Sequence, residues 1–173
     1  MELKLQSCVI RSWSLDDARA VQRYANNRKI WANLRDGFPH PYSVADAEGF
    51  LGRVIDEKPT TTFAIAIPSE AIGCIGLQMG SDVHRKTAEL GYWLGEPFWG
   101  RGIMSEAVAA LTHWAFATLD LNRIYSEPFA SNQPSARVLE KAGFVLEGRL
   151  RANIFKDNQR MDSLIYALVR DGA

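Results

Sequence analysis

The chain has 173 residues, 20 of them Lys or Arg and 20 Asp or Glu, for a formal net charge of zero. Hydrophobic residues make up 47% and charged ones 23%, the balance of a soluble globular protein, and the length suits one domain over residues 1–173. There is no basic stripe of the kind nucleic-acid binders carry, and no apolar run of the ~20 residues a membrane span needs.

Residues 3–11 alternate (Leu3, Leu5, then Val9 and Arg11) and read as a first strand. Ser14 followed by Asp17 resembles a capping box and opens a helix through about Asn27. Gly37, Pro39 and Pro41 make a loop. Ser43 with Asp46 repeats the cap, and Val44, Ala47, Phe50, Leu51, Val54 and Ile55 form one helical stripe. After Pro59 the period changes: Phe63, Ile65 and Ile67 alternate as a strand, and residues 72–79 supply the next. Residues 87–94 form a further strand, with Glu89, Gly91 and Trp93 on one face and Leu90, Tyr92 and Leu94 on the other. The loop Gly95 to Arg101 leads into a long amphipathic helix from about Gly102 to Leu119. Residues 122–130 read as a strand and 134–142 as a short helix, and 144–156 with 160–169 read as a closing hairpin around Asp157-Asn158. About seven strands and about four helices then make an α/β (α+β) domain with a mixed sheet.

Cys8 and Cys74 are too few for a disulfide scaffold and, with His40, His84 and His113 scattered, no metal-ligand spacing appears. The N-terminus MELKLQSCVIRSW has no signal-peptide core. The expectation is a cytoplasmic protein without metal, nucleic-acid or membrane partners.

Two segments carry chemistry. In EPFWGRGIMSEA (96–107), Gly100 and Gly102 precede a helix start. There the N–H groups have no intrahelical partners and the dipole adds positive charge, which suits a phosphate. Alone, such a loop is also a common turn. It is neither a Walker loop nor a three-glycine dinucleotide fingerprint. The second segment is SNQPSARVLEKAGF (131–144), where Pro134 suits a first helical turn and Gly143 the position past the helix end. Asn132 and Ser135 then face one side of the helix start, where local physics reads a cap and a first-turn residue.

Together, AELGYWLGEPFWGRGIMSEAV (88–108) and NRIYSEPFASNQPSARVLEKAGFVLEGRLR (122–151) resemble the GNAT superfamily of N-acetyltransferases. The likeness is to its branch of ribosomal-protein N-terminal acetyltransferases. The resemblance implies a mixed, mostly antiparallel sheet splayed between strands 87–94 and 122–130, with acetyl-CoA as cosubstrate. It implies pantetheine bonded to the backbone around Trp93 and Leu94. The pyrophosphate would lie on the N–H groups of Trp99, Gly100, Arg101, Gly102, Ile103 and Met104, and Asn132 would bond the pantetheine arm. The family's pattern there is Gln/Arg-x-x-Gly-x-Gly/Ala; this chain keeps the central Gly102 and carries Trp99 and Met104 at its ends.

Transfer of an acyl group to an amine needs a neutral amine, although a Lys-type amine has a pKa near ~10.4. It needs donors for the developing oxyanion and a proton for the leaving thiolate. The resemblance makes Glu89 the candidate base, direct or through water, and Ser135 the candidate acid, with Tyr92 as the alternative acid and the Leu94 N–H as oxyanion donor. Glu89 lies five positions before Leu94, ~16 Å by strand rise. Lys141 and Arg137 read as a solvated helix face. The acceptor is a peptide N-terminus, a polyamine, an amino acid or an antibiotic-like amine, and the assembly a monomer or homodimer. The alternative is a CoA-binding sensor with weak or no turnover.

Overall fold

The strand expected over residues 3–11 is two short strands, β1 (Glu2–Lys4) and β2 (Val9–Arg11), in the computed structural model, which describes residues 1–170. Polar Gln6 and Ser7 interrupt the alternation, and the Leu5 N–H closes the turn on the Cys8 carbonyl at 2.9 Å.

The helix expected from Ser14 to Asn27 also divides. Ser14 and Asp17 form the reciprocal capping box, which opens as a 3-10 turn over Leu15–Asp17 and continues as α1 (Ala18–Ala25). Asn27 then caps a separate single turn, α2 (Arg28–Trp31), its Oδ1 accepting the Lys29 N–H at 2.8 Å. Four residues are too few to show an apolar period, so only the cap advertised this turn. The remaining elements are α3 (Val44–Asp56), β3 (Thr62–Ile67), β4 (Glu70–Met79), β5 (Thr87–Leu94), α4 (Ile103–Thr118), β6 (Arg123–Ser126), α5 (Gln133–Lys141), β7 (Val145–Lys156) and β8 (Gln159–Val169). Among the described residues eight strands and five α-helices replace the expected seven and four. The α/β class stands.

Two compact units divide the chain. The first comprises Met1–Gly76 and Tyr92–Ile103. Its strands run β1-β2-β3-β4, all antiparallel, with Ile10 opposite Ile65 and Phe63 opposite Ile75. Trp13, Val21, Tyr42, Ala47, Leu51, Ala64 and Cys74 form one buried cluster, with Phe38, Phe50 and Trp93 packed on it. The apolar stripe of α3 therefore faces the sheet, and truncating fully buried Leu51 to Ala costs about 2–5 kcal/mol. The end of β5 lies close to β4: the Gly95 N–H donates to the Ile72 carbonyl at 2.8 Å.

The second unit comprises Leu77–Gly91 and the chain from Met104 onward. Its strand order is β5-β6-β8-β7. Only β5 and β6 run parallel, because α4 supplies the crossover between them. Ala107, Val108, Leu111 and Ala115 of α4 are fully buried at helical spacing. Strand β6 stops at Ser126 instead of 130, since Pro128 lacks an N–H for a ladder; Phe129 makes one isolated bridge to Ser163. Asp157 and Asn158, at φ of 54° and 58°, form the two-residue hairpin turn between β7 and β8.

Candidate active site

In the first unit, β5 ends at Leu94 and the chain turns through a 3-10 segment, Glu96–Phe98. The indole Nε1–H of Trp99 donates to the Leu94 carbonyl at 2.7 Å, so the loop folds back on the strand it leaves. Gly100 and Gly102 follow at φ of 74° and 80°. A Cβ at either would meet nothing within 4 Å, so backbone angle, not room, demands glycine. These two residues turn the chain so that α4 begins at Ile103, and its first N–H groups have no intrahelical acceptors. Arg101 is exposed, its guanidinium 5.6 Å from the centre of the Phe98 ring. Ile103 and Met104 are buried in the first turn of α4. Met104 thus occupies the family's last glycine-or-alanine position at no backbone cost, because the left-handed angle falls on Gly102.

On the same unit Trp93 is half-buried, with its ring 6.1 Å from that of Phe38; Phe38 in turn lies 4.9 Å from Tyr42. Burial pushes the Tyr42 hydroxyl up to about 12, with the Asp46 carboxylate adding to it. Tyr42 stays neutral at any working pH. Cys74 is raised likewise by burial, to about 12, and is inert as a nucleophile. Tyr92 is half-buried on the same strand end.

In the second unit the β5–β6 ladder pairs Thr87 with Arg123, Ala88 with Ile124 and Glu89 with Tyr125, then stops although β5 runs on to Leu94. Where it stops, the buried Ser126 hydroxyl donates to the Leu90 carbonyl at 2.9 Å. Glu89 is half-buried inside the paired stretch. Asn132 caps α5, its Oδ1 accepting the Ser135 N–H at 3.2 Å. The helix start therefore brings Asn132 and Ser135 together, as their spacing required. Gly143, at φ 88°, ends α5, and the Phe144 N–H returns to the Leu139 carbonyl at 3.0 Å. Arg137 and Lys141 are exposed.

Sequence reasoning missed Glu127. It stands two positions past Tyr125, the cross-strand partner of Glu89, just beyond the end of β6. Its Oε1 accepts from the Ser163 hydroxyl at 2.7 Å and from Asn153 Nδ2 at 2.6 Å. Ser163 is fully buried. Asn153 is aimed there by a bulge between Leu150 and Ile154, where Ala152 has φ 52° and its N–H donates to Asp162 Oδ1 at 2.8 Å. That bond, with one from Arg149, holds the Asp162 carboxyl below its usual range. The sequence signal for Glu127 was its neighbour Pro128, which cannot continue the ladder, so the strand has already ended at Ser126.

The acetyltransferase (GNAT) domain model matches residues 8–145. The uncharacterized N-acetyltransferase p20 of Bacillus licheniformis is 29% identical over 97% of this chain and 96% of its own length. The ribosomal-protein-serine acetyltransferase of Escherichia coli (strain K12) is 36% identical over 63% of this chain and 60% of its own. A solved ribosomal L7/L12 alpha-N-protein acetyltransferase, RimL, in complex with coenzyme A, has a TM-score of 0.86 at 22% identity, covering 100% of both chains. The chain belongs to the acetyltransferase (GNAT) family, and it is an acetyl-CoA-dependent N-acetyltransferase. Among the described residues no helix is long and apolar enough to cross a membrane, and no three His, Cys, Asp or Glu side chains are grouped to hold a metal ion.

Proposed function

We propose that the acceptor is the N-terminal amine of a protein or peptide, acetylated by direct attack on the acetyl-CoA thioester. The observation that supports the cofactor's place is the pair of left-handed glycines, Gly100 and Gly102, at the head of α4. The N–H groups from Gly100 to Met104 receive the pyrophosphate, with the Arg101 guanidinium beside them; the Trp99 N–H, expected among them, is given to the Glu96 carbonyl at 3.1 Å. The backbone of Trp93 and Leu94 takes the pantetheine, and the Leu94 N–H the developing oxyanion. Asn132 spends its carbonyl oxygen on the α5 cap and keeps its NH2 for the pantetheine amides. Ser135 protonates the departing thiolate.

The base is a carboxylate of the second unit. Glu127 is favoured over Glu89 because one oxygen is fixed by two donors while Oε2 takes no hydrogen bond among the described residues. It also lies past the end of the β5–β6 ladder, whereas Glu89 lies within it. The peptide acceptor is favoured by the 36% identity to a ribosomal-protein-serine acetyltransferase.

The test is acetyl-CoA consumption with peptides beginning in Ser or Ala, the same peptides with a blocked N-terminus, and spermidine. Turnover confined to peptides with a free N-terminus is expected. Turnover with spermidine alone would make the acceptor a polyamine, and equal turnover of free and blocked peptides would exclude the N-terminal amine.

A further inference from the structure

Glu96 ties the glycine loop to α2. It opens the turn that leads into Trp99 and Gly100, and its two oxygens go to separate partners. Oε2 accepts from Asn27 Nδ2 at 2.7 Å, and Oε1 accepts from Lys29 Nζ. Asn27 uses its other end as the α2 cap, Oδ1 accepting the Lys29 N–H at 2.8 Å. One amide therefore fixes both the first turn of α2 and the turn before the loop. The Lys29 and Glu96 side chains are 67% and 36% exposed, so the ion pair adds little to global stability. What the arrangement supplies is alignment.

The connection continues beyond α2. That helix ends at Trp31, whose ring carries the Arg28 guanidinium at 4.5 Å and lies 5.9 Å from His40. The following segment returns Phe38 to Trp93 at 6.1 Å, and Trp93 is followed by Leu94, whose carbonyl holds Trp99. The path closes on itself within the first unit: Glu96, α2, residues 32–42, Trp93, Leu94, Trp99. Such a ring has few independent ways to move, so ordering one arc restricts the others.

We propose that Glu96 is a positioning residue that couples the glycine loop to the aromatic segment 28–42, so that seating acetyl-CoA on the loop orders that segment. This rests on the loop being the acetyl-CoA site. Lys29 and Asn27, by hydrogen bonding, hold the Glu96 carboxyl below its usual range, so the tie stays charged through the neutral region.

Hydrogen exchange over residues 28–42, with and without saturating acetyl-CoA, tests the coupling. In the unaltered chain acetyl-CoA slows exchange in this segment about fivefold or more. Glu96→Gln still binds acetyl-CoA but loses that slowing, while Lys29→Arg keeps it. A merely structural role would speed exchange in Glu96→Gln equally with and without acetyl-CoA. That result, or slowing undiminished in Glu96→Gln, overturns the proposal. If the unaltered chain shows no thermal shift with acetyl-CoA, the cofactor reading falls and the coupling falls with it. A thermal shift without slowing sinks the coupling alone.

Discussion

The Trp99 indole N–H and the Leu94 carbonyl, 2.7 Å apart, join the last residue of β5 to the residue before the glycine pair. Five positions separate them in sequence, and the bond sets how the loop leaves the strand. Trp99→Phe keeps the ring and removes the donor, a loss of about 1 kcal/mol. Acetyl-CoA affinity should fall roughly 3- to 10-fold by isothermal titration, with the fold retained. Unchanged affinity would make Trp99 a bystander.

Gly102→Ala places a Cβ on a backbone at φ 80°, at a strain of about 1–2 kcal/mol. The midpoint of thermal unfolding should drop by a few degrees and the stabilisation by acetyl-CoA should shrink. Met104→Gly, by contrast, removes a buried side chain from the helix and should harm stability without improving affinity.

For Glu127→Gln, turnover should fall by about 100-fold or more. The loss should be largest at low pH, where the acceptor amine is protonated and needs a base, and should narrow as pH approaches the amine's own pKa. Glu89→Gln, measured beside it, should retain the unaltered pH profile; the reverse outcome would move the base to Glu89. Ser135→Ala should lower kcat while the acetyl-CoA dissociation constant stays within about twofold.

Asp17 makes a testable acid limb of stability. Burial opposes its ionisation, but two bonds from Arg11 at 2.7 and 2.8 Å and one from the Ser14 N–H at 3.0 Å outweigh it, and its pKa lies below the usual value. A depressed folded pKa contributes stability that is full above the unfolded value, near ~3.9, and is lost as pH falls through the folded one. Asp17→Asn should cost about 2–3 kcal/mol at neutral pH, and the difference from the unaltered chain should shrink in acid. A constant difference down to acid pH would show that Asp17 acts by shape alone.

The helix caps at Ser14 and Ser43, the stripe of α3, the glycine pair and the Asn132–Ser135 pairing were all legible in the sequence, because each depends on neighbours a few residues apart. The division of the first strand and the single turn α2 were not, since they fall below the length at which a period shows. Glu127 escaped because what makes it distinctive is long-range: Asn153 and Ser163 reach it only through a bulge in a hairpin far along the chain. Glu89 was singled out by the family resemblance, and strand alternation, which is local, does not tell where pairing ends.

The Ser126 hydroxyl on the Leu90 carbonyl bears on how the protein behaves before it meets any ligand. A strand that leaves its neighbour strands a polar carbonyl, and in a buried place that would favour zipping onward. Here a side chain answers it, so the ladder ends at this point without leaving the carbonyl unpaired. The Leu90 carbonyl is therefore satisfied in the resting chain by a side chain and needs no further ladder bond.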